Sequence, residues 1–129
     1  MGDVGSAFLG YSFACLAVIS SKEDPALAFS GVLLVWPFVF DTVFTFFRRL
    51  KNGENVFSAH RSHLYQRLVI SGFSHRTVTL LYAALDILGV SLALLVVMKK
   101  PWSDLIVLTV LPLACFGLWG LTVMRERYL

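Results

Sequence analysis

Apolar residues fill most of the chain in four long blocks, and one long polar interval separates the second block from the third. The blocks predict membrane-spanning helices at about residues 6–20, 26–47, 77–98 and 105–124. A helix needs about 20 apolar residues to cross the hydrocarbon, which the last three blocks supply and the first approaches. We therefore expect an all-α, multi-span membrane helical bundle with four transmembrane helices.

Two prolines lie inside the predicted spans, Pro37 in the second and Pro112 in the fourth. A proline lacks the backbone N–H that the helix ladder needs, and its ring crowds the preceding turn. We therefore expect a kink in each of these two helices.

The composition agrees with a membrane protein. The 129 residues are 57% hydrophobic and 15% charged, whereas a soluble domain averages about 25% charged residues. No interleaving of basic and aromatic residues indicates a nucleic-acid-binding module. Cys15 and Cys115 each lie in an apolar block, which favours buried thiols over a disulfide. We interpret 1–129 as a single membrane domain.

The basic residues are distributed unevenly between the two sides of the predicted bundle. Eight of the eleven lie in the loop 48–76 or after the fourth span, and three lie on the other side. Cytoplasmic loops of membrane proteins carry the excess of lysine and arginine. The long loop and both termini are therefore predicted to face the cytoplasm.

The loop 48–76 also carries the candidate chemistry. A helix that begins near Ser58 would bring His60, His63 and Arg67 to one face, beside apolar residues. This pattern predicts a cytoplasmic amphipathic helix at the membrane surface, whose basic edge binds an anion such as phosphate.

Two alternatives stay open for this loop. The first is a metal site, because His60 and His63 are spaced to share a zinc ion, although no carboxylate or thiol stands nearby to complete a tetrahedral set. The second is a merely solvated basic face.

Two aspartates lie inside the predicted spans, where a charge is costly. Asp41, Thr45 and Arg48 share one helix face, so Asp41 is a candidate for the border of the phosphate site. A hydrogen bond or an ion pair between helices accounts for Asp41 equally well, and is the favoured interpretation of Asp86.

The N-terminal motif Met1-Gly2-Asp3-Val4-Gly5-Ser6 places a carboxylate between glycines, just ahead of a helix. Glycine lets a backbone approach a ligand closely, and a helix N-terminus offers free N–H groups to phosphate. Asp3 is also a candidate ligand of Mg²⁺. On spacing alone, a flexible tail accounts for these residues better.

Taken together, this motif and His60-Arg61-Ser62-His63-Leu64-Tyr65-Gln66-Arg67-Leu68 resemble the C-terminal third of the polyprenyl-phosphate sugar-1-phosphate transferases. The resemblance runs from Met1 to the fourth span. The cytoplasmic motif of that family reads Arg-x-His-x-His-His: Arg61 and His63 match it, while Tyr65 and Gln66 replace the last two histidines. This departure resembles the subgroup that initiates O-antigen chains.

The resemblance implies transfer of an N-acetylhexosamine-type sugar-1-phosphate from a UDP-sugar to undecaprenyl phosphate in the bacterial inner membrane. It implies Mg²⁺, with Mn²⁺ as an alternative, held by Asp3. Asp3 and His63 become the catalytic residues, and a homodimer is compatible with the pattern. The residues implied to bind the substrates are Gly5, Ser6, Arg48, Arg49, His60, Arg61, Gln66 and Arg67.

Members of that family carry further spans and an aspartate-rich motif ahead of this region. We therefore expect this chain to be a C-terminal fragment that has no transferase activity alone. Two further functions fit the sequence. One is a small four-span transporter subunit that uses Asp41 or Asp86 at a dimer centre, and the other is a non-catalytic membrane scaffold.

Overall fold

Helices joined by short turns make up the part of the chain that the structure covers. A computed structural model describes residues 3–55 and 63–127, and of residues 3 and 6 the backbone only. Within these ranges there are six α-helices and no strands, which confirms the all-α prediction. The helices are α1 (Asp3–Ser20), α2 (Pro25–Leu34), α3 (Trp36–Lys51), α4 (Leu64–Ile70), α5 (His75–Val97) and α6 (Ser103–Arg127).

The described helices include two that are long and apolar enough to cross a membrane, α5 with 23 residues and α6 with 25. They coincide with the predicted spans at 77–98 and 105–124. The helices α2 and α3 qualify as a third span only if the bent pair is taken as one. The apolar part of α1, Ala7–Ser20, is shorter than a span. The structure thus supports a multi-pass membrane protein with two or three candidate spans, and the expected four are not confirmed.

The predicted second span, 26–47, is not one continuous helix. It breaks at Val35, and α3 leaves the direction of α2 by 74°. Pro37 lies in the first turn of α3, where a residue without an N–H costs no intrahelical hydrogen bond. The proline therefore opens a new helix instead of kinking a continuous one. By contrast, α6 continues through Pro112 as a single helix.

The break packs directly on α5. The indole Nε1 of Trp36 donates a hydrogen bond to the carbonyl oxygen of Leu85 at 3.0 Å. A Cβ atom on Gly89 would lie 2.2 Å from the carbonyl oxygen of Leu33 and 2.5 Å from Cδ1 of Trp36. Only glycine fits at this position, because a backbone carbonyl cannot move aside as a flexible side chain can. The start of α3 is thereby held against α5.

Two apolar clusters hold the bundle together. The first joins α2, α5 and α6 and consists of Leu33, Leu92, Ala93, Val96 and Val107. The second lies under α4 and consists of Leu64, Leu68, Val78, Tyr82 and Leu118. Between membrane helices such contacts stabilise through close van der Waals packing. The second cluster therefore fixes the short helix α4 on α5 and α6.

The predicted amphipathic helix is not continuous through His63. His63 has an extended backbone conformation, with φ −64° and ψ 151°, and α4 starts at Leu64. The prediction of one helical face through His63 and Arg67 is therefore wrong, because a residue with extended backbone cannot continue a helix. The predicted N-cap Ser58 and His60 lie outside the described residues. Leu64 and Leu68 are both fully buried.

Ion pairs mark the two ends of the bundle. At one end Lys99 Nζ lies 2.8 Å from Asp24 Oδ2 and links the α1–α2 turn to the α5–α6 turn. Asp24 also accepts a hydrogen bond from the N–H of Ala26 at 2.9 Å, which caps α2. Together, first the hydrogen bond from Lys99 and then that from Ala26 hold the pKa of the Asp24 carboxyl below its usual range. The other end gathers α3, α4 and α6.

We expect Gly89→Ala to lower the free energy of unfolding by about 1–3 kcal/mol, the range for overpacking a tight contact. The added methyl group would push the α2–α3 break away from α5 and disturb the indole of Trp36. Thermal unfolding in detergent micelles, followed by tryptophan fluorescence, measures the effect.

Gly117→Ala is the matched control. It places the same methyl group in a helix where a Cβ would meet no atom within 4 Å. Alanine is favoured over glycine inside a helix by about 0.5–1 kcal/mol, so this variant should be as stable as the parent or more so. Equal destabilisation by both variants would contradict the close contact at Gly89.

Candidate functional site

A buried carboxylate organises the polar end of the bundle. Asp41 of α3 is 2% exposed. Its Oδ1 accepts a hydrogen bond from the N–H of Leu64 at 2.7 Å, and its Oδ2 accepts one from the N–H of Tyr65 at 3.4 Å. These are the first two residues of α4, whose N–H groups have no partner within their own helix. A negative charge at a helix N-terminus is stabilising, so Asp41 caps α4 from a distance.

Two hydroxyl groups complete the surroundings of this carboxylate. Thr45 Oγ1 donates to Asp41 Oδ1 at 3.2 Å, and the phenol of Tyr82 donates to Oδ2 at 3.0 Å. Since Tyr82 belongs to α5, Asp41 joins α3, α4 and α5. The contacts agree with the interpretation of Asp41 as an internal hydrogen-bonding group.

His63 stands at the edge of this cluster. Its ring Nδ1 lies 3.4 Å from Asp41 Oδ1. Its backbone N–H donates a hydrogen bond to Gln66 Oε1 at 3.3 Å. Its ring also stacks on the ring of Tyr65, with the two centroids 5.9 Å apart. The side chain is 35% exposed. Since Nδ1 is turned towards the carboxylate, Nε2 is the ring nitrogen left for a ligand. The contact with His63 also makes Asp41 a neighbour of the predicted phosphate site.

Arg49, a predicted substrate ligand, holds the turn after α3. Its side chain is 8% exposed; Nε lies 3.4 Å from Glu54 Oε2, and Nη2 donates to the carbonyl oxygen of Asn55. A hydrogen bond from Asn52 and, more weakly, the charges of Arg49 and Arg48 hold the pKa of the Glu54 carboxyl below its usual range. Arg49 therefore has structural partners whether or not it meets a substrate.

Arg67 is likewise held inside the fold. Its Nε and Nη2 donate to the two carboxylate oxygens of Glu126 at 2.6 Å and 2.5 Å. This two-pronged geometry is the strong form of an arginine–carboxylate pair. The guanidinium of Arg125 lies 4.3 Å from the centroid of the Phe73 ring. Both contacts tie the C-terminal turn of α6 to the segment of α4, and Arg48 lies within electrostatic reach of Arg67 and Glu126.

The structure brings together six of the predicted site residues at this end: Asp41, Arg48, Arg49, His63, Gln66 and Arg67. Gly5 lies in the first turns of α1. The side chains of Asp3 and Ser6, and the residues His60 and Arg61, lie outside the described residues. Over the described ranges, α1 packs on α2 and makes no comparable contact with α4. A meeting of Asp3 with His63 stays a prediction.

Sequence reasoning missed Tyr82, Glu54 and Glu126 as partners of the predicted residues. An ion pair can be predicted from the sequence when the carboxylate and the basic residue lie one helical turn apart. Arg67 and Glu126 are 59 residues apart, so their pairing could not be predicted in this way. Thr45 had a signal, because it follows Asp41 at the i+4 position. Tyr82 had none that would join it to Asp41.

A cleft of about 270 Å³ between α3, α4 and α5 was also missed. Phe38, Tyr65 and Tyr82 supply its aromatic lining, with ring centroids 5.6 Å apart for Phe38 and Tyr82 and 6.2 Å apart for Tyr65 and Tyr82. Asp86 also lines it, and its Oδ1 is buried without a hydrogen-bond partner among the described residues. The favoured interpretation of Asp86 as an internally paired acid is therefore not supported by the described residues.

We expect Arg67→Glu to destabilise the contact between α4 and α6 by about 1 kcal/mol, because it replaces an ion pair with two facing carboxylates. Adding Glu126→Arg in the same chain should restore the pair and most of the lost stability. Thermal unfolding of the two variants in micelles tests the exchange. A double variant no more stable than Arg67→Glu would show that the pair does not join the helices.

Comparison with known proteins supports the resemblance seen in the motifs. No family model and no solved structure matches the chain. A Bacillus subtilis (strain 168) protein named probable undecaprenyl-phosphate N-acetylglucosaminyl 1-phosphate transferase is 32% identical over 115 residues, covering 86% of this chain and 32% of that protein. The undecaprenyl-phosphate alpha-N-acetylglucosaminyl 1-phosphate transferase of Escherichia coli (strain K12) is 30% identical over 131 aligned residues, covering 97% of this chain and 34% of that protein.

A relative of the same name from Yersinia pestis is 29% identical over 97 residues, covering 70% of this chain and 26% of that protein. The chain thus spans about a third of the length of the curated relatives it matches. The resemblance carried by the two motifs is confirmed: over most of its length, this chain is a homologue of proteins named undecaprenyl-phosphate N-acetylglucosaminyl 1-phosphate transferases.

Proposed function

We propose that the polar end around Asp41 and His63 is part of the active site of a membrane transferase. The reaction moves an N-acetylhexosamine-type sugar-1-phosphate from a UDP-sugar to undecaprenyl phosphate. The observation that carries this proposal is the partly exposed imidazole of His63, oriented by a buried carboxylate at the end of the bundle that collects the arginines. The reaction is taken from the names of the relatives, and His63 and the arginines at this end are residue types suited to binding phosphate.

The reaction exchanges one phosphoanhydride for another. A phosphate oxygen of undecaprenyl phosphate attacks the phosphorus that bears the sugar, and the bond from that phosphorus to the bridging oxygen breaks. UMP leaves with the bridging oxygen and its electron pair. Negative charge grows on the oxygens around the reacting phosphorus, and preorganised donors at that point give the largest catalytic effect.

His63 is suited to supply one such donor. When the imidazole carries both protons, Nδ1–H faces Asp41 and Nε2–H is available to a phosphate oxygen. Arg48 and Arg49 contribute positive potential at the same end, which attracts an anionic headgroup and a nucleotide diphosphate. Arg67 acts through its pair with Glu126 by holding α4 in place.

The proposed active site includes a magnesium ion, with manganese as the alternative, and Asp3 is its proposed ligand. Across residues 3–55 and 63–127, no group of three or more His, Cys, Asp and Glu side chains is placed to hold an ion. Mg²⁺ takes one or two carboxylates and completes its shell with phosphate and water, so an aspartate ligand such as Asp3 suits Mg²⁺ better than Zn²⁺. The bound ion would neutralise the diphosphate charge.

The membrane orientation follows from the same end of the bundle. The proposal puts the arginine-rich end and both termini on the cytoplasmic side of a bacterial inner membrane, where a UDP-sugar is available.

The alternative function, a transporter subunit that works through Asp41, fits the structure less well. Asp41 already accepts four hydrogen bonds from its own chain and has little capacity left for a transported cation.

The test is a graft of this chain in place of the matching third of the Escherichia coli relative. We expect the graft to release UMP from UDP-N-acetylglucosamine in the presence of undecaprenyl phosphate. His63→Ala should lower this rate by roughly 100- to 1000-fold, the loss typical of removing one transition-state donor. UMP release by membranes with equal amounts of graft is the measurement.

The matched control is His75→Ala, which removes the other described histidine. It is exposed at the start of α5 and takes no part in the proposed reaction. An active graft that tolerates His63→Ala as well as His75→Ala would contradict the role of His63. A graft that reaches the membrane without activity would contradict the proposed function.

A further inference from the structure

We infer that Asp41 is a positioning residue: by capping α4 from α3, it sets the start of that helix and turns the imidazole of His63 so that Nε2 faces outward. The catalytic use of the oriented imidazole rests on the proposed function, whereas its orientation rests on the described contacts of Asp41. It assigns Asp41 no contact with substrate.

The start of α4 is held by Asp41 together with a local capping box, in which the Gln66 side chain accepts the N–H of His63 and the His63 side chain stands at the N–H of Gln66. Serine, threonine, aspartate or asparagine usually precedes a helix and accepts its first N–H groups, but His63 holds that position here. Asp41, 23 residues earlier in the chain, accepts the N–H of Leu64 instead. A seven-residue helix gains little from its own hydrogen bonds, so this long-range contact, the capping box and the buried leucines together decide where it begins.

The carboxylate is satisfied without help from His63. Four donors reach it: the N–H groups of Leu64 and Tyr65 and the hydroxyls of Thr45 and Tyr82. The 3.4 Å contact with His63 Nδ1 is therefore an additional one. A histidine drawn towards a phosphate would leave no unpaired charge behind, whereas loss of Asp41 would leave several donors unsatisfied.

The same contact determines which nitrogen of a neutral His63 carries the proton. A carboxylate only accepts hydrogen bonds, so Asp41 at 3.4 Å favours the Nδ1–H form over the form in which a ring nitrogen accepts the Gln66 N–H of the capping box. Nε2 then has a free lone pair on the exposed side, ready to take a proton or to meet a donor. Without Asp41 this preference disappears, and the ring is no longer oriented.

The full chain in detergent micelles, labelled with ¹⁵N, allows a test that needs no transferase activity. At a pH where His63 is neutral, the ring ¹⁵N spectrum of the parent chain should report the Nδ1–H form. The amides of Leu64 and Tyr65 should exchange slowly with solvent, although the first amides of a helix ordinarily exchange fast. An Nε2–H form together with fast exchange of both amides in the parent chain would overturn the inference.

Asp41→Ala removes every acceptor at this point. We expect exchange of the Leu64 and Tyr65 amides to become about ten- to a hundredfold faster, which is the factor for a hydrogen bond to a charged group. The His63 spectrum should move towards the Nε2–H form. Tyr82→Phe is the control, because it removes one donor and keeps the carboxylate, so the His63 spectrum should stay as in the parent.

Protection of the Leu92 amide in the first apolar cluster reports whether each variant is still folded. If Asp41→Ala loses that protection, the parent spectra and Tyr82→Phe decide the question alone. A folded Asp41→Ala chain with the parent spectrum and unchanged amide exchange would overturn the inference. If the spectra behave as expected while the graft is inactive, the positioning holds and the transferase assignment fails.

Discussion

The polar end of this protein depends on one buried carboxylate. An ionised side chain inside a helical bundle is tolerated only if donors surround it, and loss of one partner of a buried charge costs several kcal/mol. Asp41 meets this condition with donors from three helices. The requirement to satisfy one charge therefore brings α3, α4 and α5 together, and it positions His63 as a consequence.

The break between α2 and α3 makes this arrangement possible. A straight second span would carry Asp41 along the axis of α2, whereas the 74° bend at Val35 turns α3 towards α4. Gly89 allows that bend to lie directly on α5, and the Trp36 indole fastens it there. Close backbone contacts through small residues are the usual way in which membrane helices approach each other. Packing at the break thus sets the direction of α3, and the hydrogen bonds of Asp41 then join α3 to α4 and α5.

Two of the arginines at this end have structural partners. Arg49 and Arg67 hold structural contacts with Glu54 and Glu126, which offset part of their charge. The positive potential that reaches solvent is smaller than a count of basic residues suggests, and the oriented imidazole of His63 becomes the more specific feature. Transfer between phosphates needs donors at defined positions more than it needs net charge. This division agrees with the homology to transferases acting on undecaprenyl phosphate.

The sequence alone determined the helical class, the positions of α5 and α6, and the polar interval with the candidate site residues, because the length of an apolar block and the residue types in a motif are local properties. The two motifs also carried the resemblance to the transferases. Only the tertiary structure decided the break at Val35, the start of α4 after His63 and the partners of Asp41 and Arg67. Each of these depends on groups far apart in the chain, such as Gly89 beside Leu33 or Glu126 beside Arg67, and such contacts leave no periodic signal in the sequence.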